Sequence, residues 1–216
     1  MCIRDSHYFG AGNSITAFEL WHVAGTQAMM QSANREAAGH FRSAIVAIDA
    51  LQSNTSKEVQ IGKDFVINKK ISVLADLGNV LTASEGYAAD ETGLAYQKAW
   101  ELIKSESNSA TKFSILYGLW NYNLVGAKTR LALENADAFH AIAKSDNNSI
   151  AQMAGDCMLG QNLAMLGSFS EAHEHLQKAQ SNSTAERRQQ AIADYGEEPA
   201  LTSMSFDAWM LSLIHI

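Results

Sequence analysis

Few residues in this chain carry side chains that could do chemistry. Glu171, His173 and His175 are close enough in sequence to suggest a metal site. On a helix, however, positions i and i+2 point apart, so the two histidines cannot share an ion. Glu171 and His175 do share a face, but two ligands are too few for zinc. The acidic pairs Asp90-Glu91 and Glu197-Glu198 are the nearest approach to the paired carboxylates that hold catalytic metal ions. Both stand where helices should begin, which makes them caps or solvated turns. Cys157 has no histidine near it in sequence and reads as a small apolar residue. No G-x-x-x-x-G-K-[ST] phosphate loop occurs, and Gly10-Ala11-Gly12 lacks the third glycine and the preceding strand of a dinucleotide turn. The expectation is therefore no catalytic residue, no metal and no cofactor. What remains is a surface. Trp120 lies in YGLWNYN, a run dense in aromatic rings and amides. Such a run can stack on a ligand or peptide, or it can pack between helices.

The elements that position these residues read as helices throughout. Apolar residues recur at helical spacing from Ile15 to Gln31, pause at Ser32-Ala33-Asn34, and resume from Ala37 to Leu51. A polar loop at Gln52–Ser56 precedes a long periodic segment, Lys57 to Ser84, which Gly86 should stop as a C-cap. Asp90-Glu91 opens the next helix, with acids at its positive end. Further helices are predicted at Ala110–Val125, Lys128–Lys144, Ser149–Leu166, Ser170–Gln180 and Ala185–Tyr195, and Pro199 suits the first turn of a last one. No segment alternates as a strand does.

Composition agrees. The chain has 216 residues, 47% of them hydrophobic, 18% charged, and one proline. It can bury a sizeable core and is not a disordered tail. A net charge of −7 disfavours broad contact with nucleic acid. No apolar run reaches the roughly 18 residues of a membrane span. Two cysteines make no disulfide framework and suit a reducing compartment, so a cytoplasmic location is expected. The first six residues, MCIRDS, and the last six, LSLIHI, resemble translated sequencing-adapter read-through. Residues 1–6 and 211–216 are set aside on that ground, leaving 7–210 as one domain cut from a longer protein.

Internal repeats indicate the fold. Trp21, Ala24, Gly25 and Ala28, followed by Ala37, Phe41 and Ala44, spell W-x2-A-G-x2-A and A-x3-F-x2-A. This resembles the tetratricopeptide pattern, whose period is about 34 residues. Two antiparallel helices approach closely only where small residues stand; Gly25 and Ala37 fill those places, and Ala44 lets the next pair stack. A second copy runs through Gly160, Leu163, Gly167, Phe169, Ala172, Leu176 and Ala179. Weaker copies hold Leu77, Gly78, Leu81, Ala95 and Ala99, and Leu119, Tyr122, Gly126, Leu131 and Ala138. Asp156 departs from the pattern, which wants a large apolar residue there. The expected fold is all-α, a tetratricopeptide-like α-solenoid of antiparallel helix pairs. Alignment on Gly25, Leu119 and Gly160 turns Glu19, His22, Thr26, Met29, Trp120, Asn123 and Gln161 towards the groove of such an array.

A closer resemblance rests on longer blocks. The run His7 to Leu51, with GNVLTASEGYAADETGLAYQKAWEL, ILYGLWNYNLVGA and YGEEPALTSMSFDAWM, is similar to the helical-repeat region of bacterial multidomain signalling proteins. Those proteins carry a predicted signal-transduction ATPase, often with an adenylate or guanylate cyclase domain; others are large transcriptional activators. The resemblance implies a non-catalytic interaction or regulatory module that contacts a protein partner or its own output domain. A small-molecule sensor region controlling that output is the alternative. If both ends are severed, Tyr8-Phe9 and Phe206, Trp209 and Met210 belong to broken helix pairs, and self-association through them is expected.

Overall fold

The computed structural model describes residues 13–53, 62–103 and 108–214. Among these every regular element is an α-helix: α1 (Ser14–Met30), α2 (Asn34–Ser53), α3 (Lys63–Glu85), α4 (Asp90–Leu102), α5 (Ser109–Val125), α6 (Thr129–Ser145), α7 (Ser149–Met165), α8 (Phe169–Ser181), α9 (Ala185–Tyr195) and α10 (Pro199–Ile214). They form two compact units, one holding α1–α4 and the other α5–α10. None is long and apolar enough to cross a membrane.

Helix starts follow from local capping chemistry. The Asn13 side chain accepts from the Thr16 N–H at 3.2 Å, Asn108 from Ala110 at 2.8 Å, and Asn148 from Ile150 and Ala151 at 3.1 and 3.0 Å. Each amide oxygen satisfies donors that the first turn leaves open. Gly86 ends α3 at φ +100°, its N–H on the Leu81 and Thr82 carbonyls, as the sequence predicts. Helix α3 begins at Lys63 rather than Lys57; Gly10-Ala11-Gly12, Tyr8-Phe9, Cys2 and residues 54–61 lie outside the described residues. Helix α10 runs on through 211–214, part of the segment set aside above.

Three helix pairs share one plan. Helices α1, α5 and α7 are each 17 residues long. Residues 31–33, 126–128 and 166–168 join them to α2, α6 and α8. The middle residue of each connection is left-handed: Ser32 at φ 58°, Ala127 at 55°, Gly167 at 82°. A left-handed residue in the same place thus follows the end of the first helix in each pair.

Glycine sets how closely the helices approach. A Cβ on Gly25 would stand 2.5 Å from Cε1 of Phe41, one on Gly78 2.6 Å from the Tyr96 ring, and one on Gly160 2.6 Å from the Leu176 side chain. All ten residues expected to pack the pairs are buried: Trp21, Gly25, Ala37, Phe41, Ala44, Gly78, Gly160, Ala172, Leu176 and Ala179. The residue against Gly160 is Leu176, one turn beyond the Ala172 that sequence spacing suggests.

The α5–α6 pair needs a larger correction. Equal helix lengths place Trp120, not Leu119, at the position of Gly25 and Gly160, and Ala136 at the position of Phe41 and Leu176. The large and small partners have exchanged places. Gly126 and Leu131, expected to pack, are exposed; the buried stripe of α6 is Ala132, Ala136, Phe139, His140 and Ala143.

Helix α10 has not lost its neighbours. It packs on α8 and α7, and Met210 is fully buried with Ala164, Ala172 and Leu176, with Phe206 against the same cluster. Trp209 is 47% exposed.

Candidate functional site

In the second unit the polar side chains turn inwards. Asp156 of α7, only 5% exposed, occupies the position that Trp21 holds in α1. Its Oδ1 lies 2.8 Å from Nδ1 of His175 on α8 and 3.4 Å from Nε2 of His140 on α6. The two imidazoles meet edge to face at 6.0 Å. One buried carboxylate thus joins three consecutive helices. Burial lowers the pKa of His140, which Asp156 partly opposes. A second carboxylate, Asp207, is the one charged residue of α10 and is 6% exposed. Its Oδ1 is 2.6 Å from Nδ1 of His173, and its Oδ2 accepts from Gln177 Nε2 at 2.9 Å. His173 and His175 therefore serve different aspartates on different helices, as their i, i+2 spacing requires. No group of three or more potential ligands that could hold a metal ion occurs among the described residues.

A histidine oriented by a carboxylate is the base half of a nucleophilic constellation. The other half needs an accessible, activated nucleophile. Cys157 is 2% exposed, and burial pushes its thiol up to about 12, so it stays protonated and inert. Gln161 Nε2 contacts its sulfur at 3.2 Å. What the cluster does visibly is tie α6, α7 and α8 together through one carboxylate.

The proposed groove residues separate by unit. His22, Thr26 and Met29 are half-buried. His22 Nε2 lies 3.0 Å from Asp76 Oδ2, between the rings of Phe18 and Phe41. The Thr26 hydroxyl donates to the His22 carbonyl, and Met29 packs against the core. Glu19 is exposed. Trp120, Asn123 and Gln161 are 1%, 5% and 5% exposed and line no open surface. For Trp120 and Asn123 the cause is register, since one residue's slip turns a helix position by about 100°; Gln161 is in register with Thr26 and is buried beside Cys157 instead. Trp120 Nε1 donates to Asn162 Oδ1 at 2.9 Å, and Asn162 Nδ2 to the Thr129 carbonyl at 2.6 Å. Trp120→Phe keeps an aromatic ring but removes part of the buried indole's volume and strips the fully buried Asn162 oxygen of that donor. It is expected to cost about 1–3 kcal/mol in urea unfolding; an unchanged midpoint would mean that the indole N–H bond carries no weight.

No model of a protein family matches the chain, and no curated protein matches it.

Three of the four acids in the pairs Asp90-Glu91 and Glu197-Glu198 have a side-chain partner, while Asp90 stands exposed in the first turn of α4. Glu91 takes both forks of Arg42, at 2.7 and 2.6 Å, which holds its carboxyl below the usual range. Glu197 accepts from the Tyr117 hydroxyl; burial first, then that carboxylate, push the phenol far above its ordinary value. Glu198 lies 3.2 Å from Arg188 Nε. In the first unit, α2, α3 and α4 enclose a half-open cleft of about 320 Å³ with an apolar floor and charged ends. Sequence reasoning missed the cleft and both buried aspartates. A signal for Asp156 existed: an acid at a core position must find partners, and His140 and His175 both stand on inward stripes of the neighbouring helices.

Proposed function

We propose that this chain is a non-catalytic helical-repeat module of a larger bacterial signalling protein, acting in the cytoplasm on a protein partner or on its own output domain. In this reading the helix pairs are antiparallel and stack as a tetratricopeptide-like α-solenoid. The supporting observation is the shared plan of the α1–α2, α5–α6 and α7–α8 pairs, with equal first helices and a left-handed residue in the same place, and in the first and last pair a glycine set against a large side chain. Such arrays offer extended surfaces for partners. The exposed residues of the first unit, Val23, Met30 and Val46 among them, are available for one.

A thermal-shift series tests this reading, because only a binder of the native state raises the midpoint. The parent's ATPase or cyclase domain should raise it. If a metabolite panel raises it and the output domains do not, the module is a small-molecule sensor instead, the reading that the cleft between α2, α3 and α4 favours. The chain alone should hydrolyse no ATP and form no cyclic nucleotide. Turnover abolished by a point substitution within it would overturn the proposal.

Self-association belongs to the same reading. The outer face of α10 exposes Leu201, Met204, Trp209 and Leu211 and carries no charge. Light scattering across a dilution series should show mass rising with concentration, and Trp209→Glu should hold it down. A chain monomeric at all concentrations would count against this face as a contact.

A further inference from the structure

The cleft in the first unit has a chemistry of its own. Each of three helices lends it one stripe: Arg42, Ile45 and Asp49 from α2; Lys70, Leu74 and Leu77 from α3; Glu91, Leu94, Ala95 and Lys98 from α4. Leu74, Leu77 and Ala95 are buried and form the floor, while Leu94 is 50% exposed and stands as a wall. The charges gather at two ends. Arg42 and Asp49 lie two turns apart on α2, about 10 Å at the helical rise. At one end Arg42 is held by Glu91, with Glu85 at 3.9 Å. At the other, Lys70 is paired to Asp49 at 2.7 Å. Lys98 follows Glu91 by two turns on α4, so it stands away from the Arg42 end. It makes no ion pair among the described residues and acts on Glu91 only at longer range. The lining thus carries three cations against two carboxylates, in a chain whose net charge is −7.

We propose that this cleft binds a small amphipathic anion, its apolar body on Leu74, Leu77 and Ala95 between Ile45 and Leu94, and its acidic head on the Lys98 ammonium. The volume sits at the lower end of small-molecule sites, which suits a ligand of about ten heavy atoms rather than a folded partner. The apolar floor supplies affinity without direction. Lys98 supplies the preference for an anion, since the carboxylates of Asp49 and Glu91 are already engaged and would repel a second negative group placed beside them. The proposal is independent of protein docking elsewhere on the repeat, so a failed thermal shift with an output domain leaves it standing.

The test uses the full chain and three probes with one apolar body and different heads: octanoate, octan-1-ol and octylamine. Binding is read by calorimetry and by amide shifts at Leu94, Ala95 and Lys98. Octanoate should bind saturably, with octan-1-ol about fivefold weaker and octylamine weaker still. Lys98→Met should weaken octanoate about three- to fivefold, the effect of an exposed ion pair, and leave octan-1-ol unchanged. Leu94→Ser, at a half-exposed position, should weaken both while preserving the thermal midpoint. The proposal falls if octanoate shows no saturable binding, if octylamine binds equally well, or if Lys98→Met changes nothing.

Discussion

Gly160→Leu should lower stability by about 1–3 kcal/mol or more. The added Cβ alone would stand 2.6 Å from Cγ and Cδ2 of Leu176 and 3.1 Å from the Leu176 backbone nitrogen. A side chain could turn aside; the backbone of α8 cannot do so without moving the helix. Leu176 also packs with Ala164, Ala172 and Met210, so a displaced α8 disturbs α10 as well. At Gly25 the three nearest atoms to an added Cβ all belong to the Phe41 ring and none to the backbone, so Gly25→Leu should be the milder of the two. Urea unfolding decides the matter. A Gly160→Leu midpoint equal to that of the parent would show that α7 and α8 do not approach as described.

Asp156→Ala should cost about 1–3 kcal/mol, because it leaves the buried His140 and the part-buried His175 without their acceptor. Asp156→Asn retains an oxygen acceptor and should cost less. The pH dependence gives a sharper test. Burial lowers the His140 pKa in the folded chain, and Asp156 opposes that lowering. A histidine with a depressed folded pKa binds fewer protons in the native than in the unfolded state just below its unfolded value of about 6.5. Its contribution is therefore complete above that pH and is lost as pH falls below it. Removing Asp156 deepens the depression, so stability should fall more steeply on acidification in Asp156→Ala than in the parent. His140→Asn should flatten the same limb. Parallel stability–pH curves for all three proteins would refute this account of the cluster.

Helix positions were legible in the chain because the signals are local. Periodic apolar residues, the break at Ser32-Ala33-Asn34, the acids that open α4, and Gly86 at positive φ act through neighbours in sequence. Gly25 and Gly160 were legible too, since close helix approach requires a small residue in a fixed register. Trp120 was misplaced by a single residue: rings and amides are interleaved in YGLWNYN, and periodicity cannot phase a helix whose polar residues do not gather on one face. The equal lengths of α1, α5 and α7 supply the phase, and those emerge only from the folded boundaries.

By itself, then, the sequence determined an all-helical chain, most helix boundaries, and the small residues at which helices meet. These follow from backbone propensity and from side-chain size, which each residue carries with it. Tertiary structure decided the rest: that Asp156 serves His140 and His175, that Asp207 serves His173, that Glu91 belongs to Arg42, and that three amphipathic stripes enclose a cleft. A charge is committed by the partner that replaces its lost water, and that partner stands on another helix, at a distance no local pattern encodes.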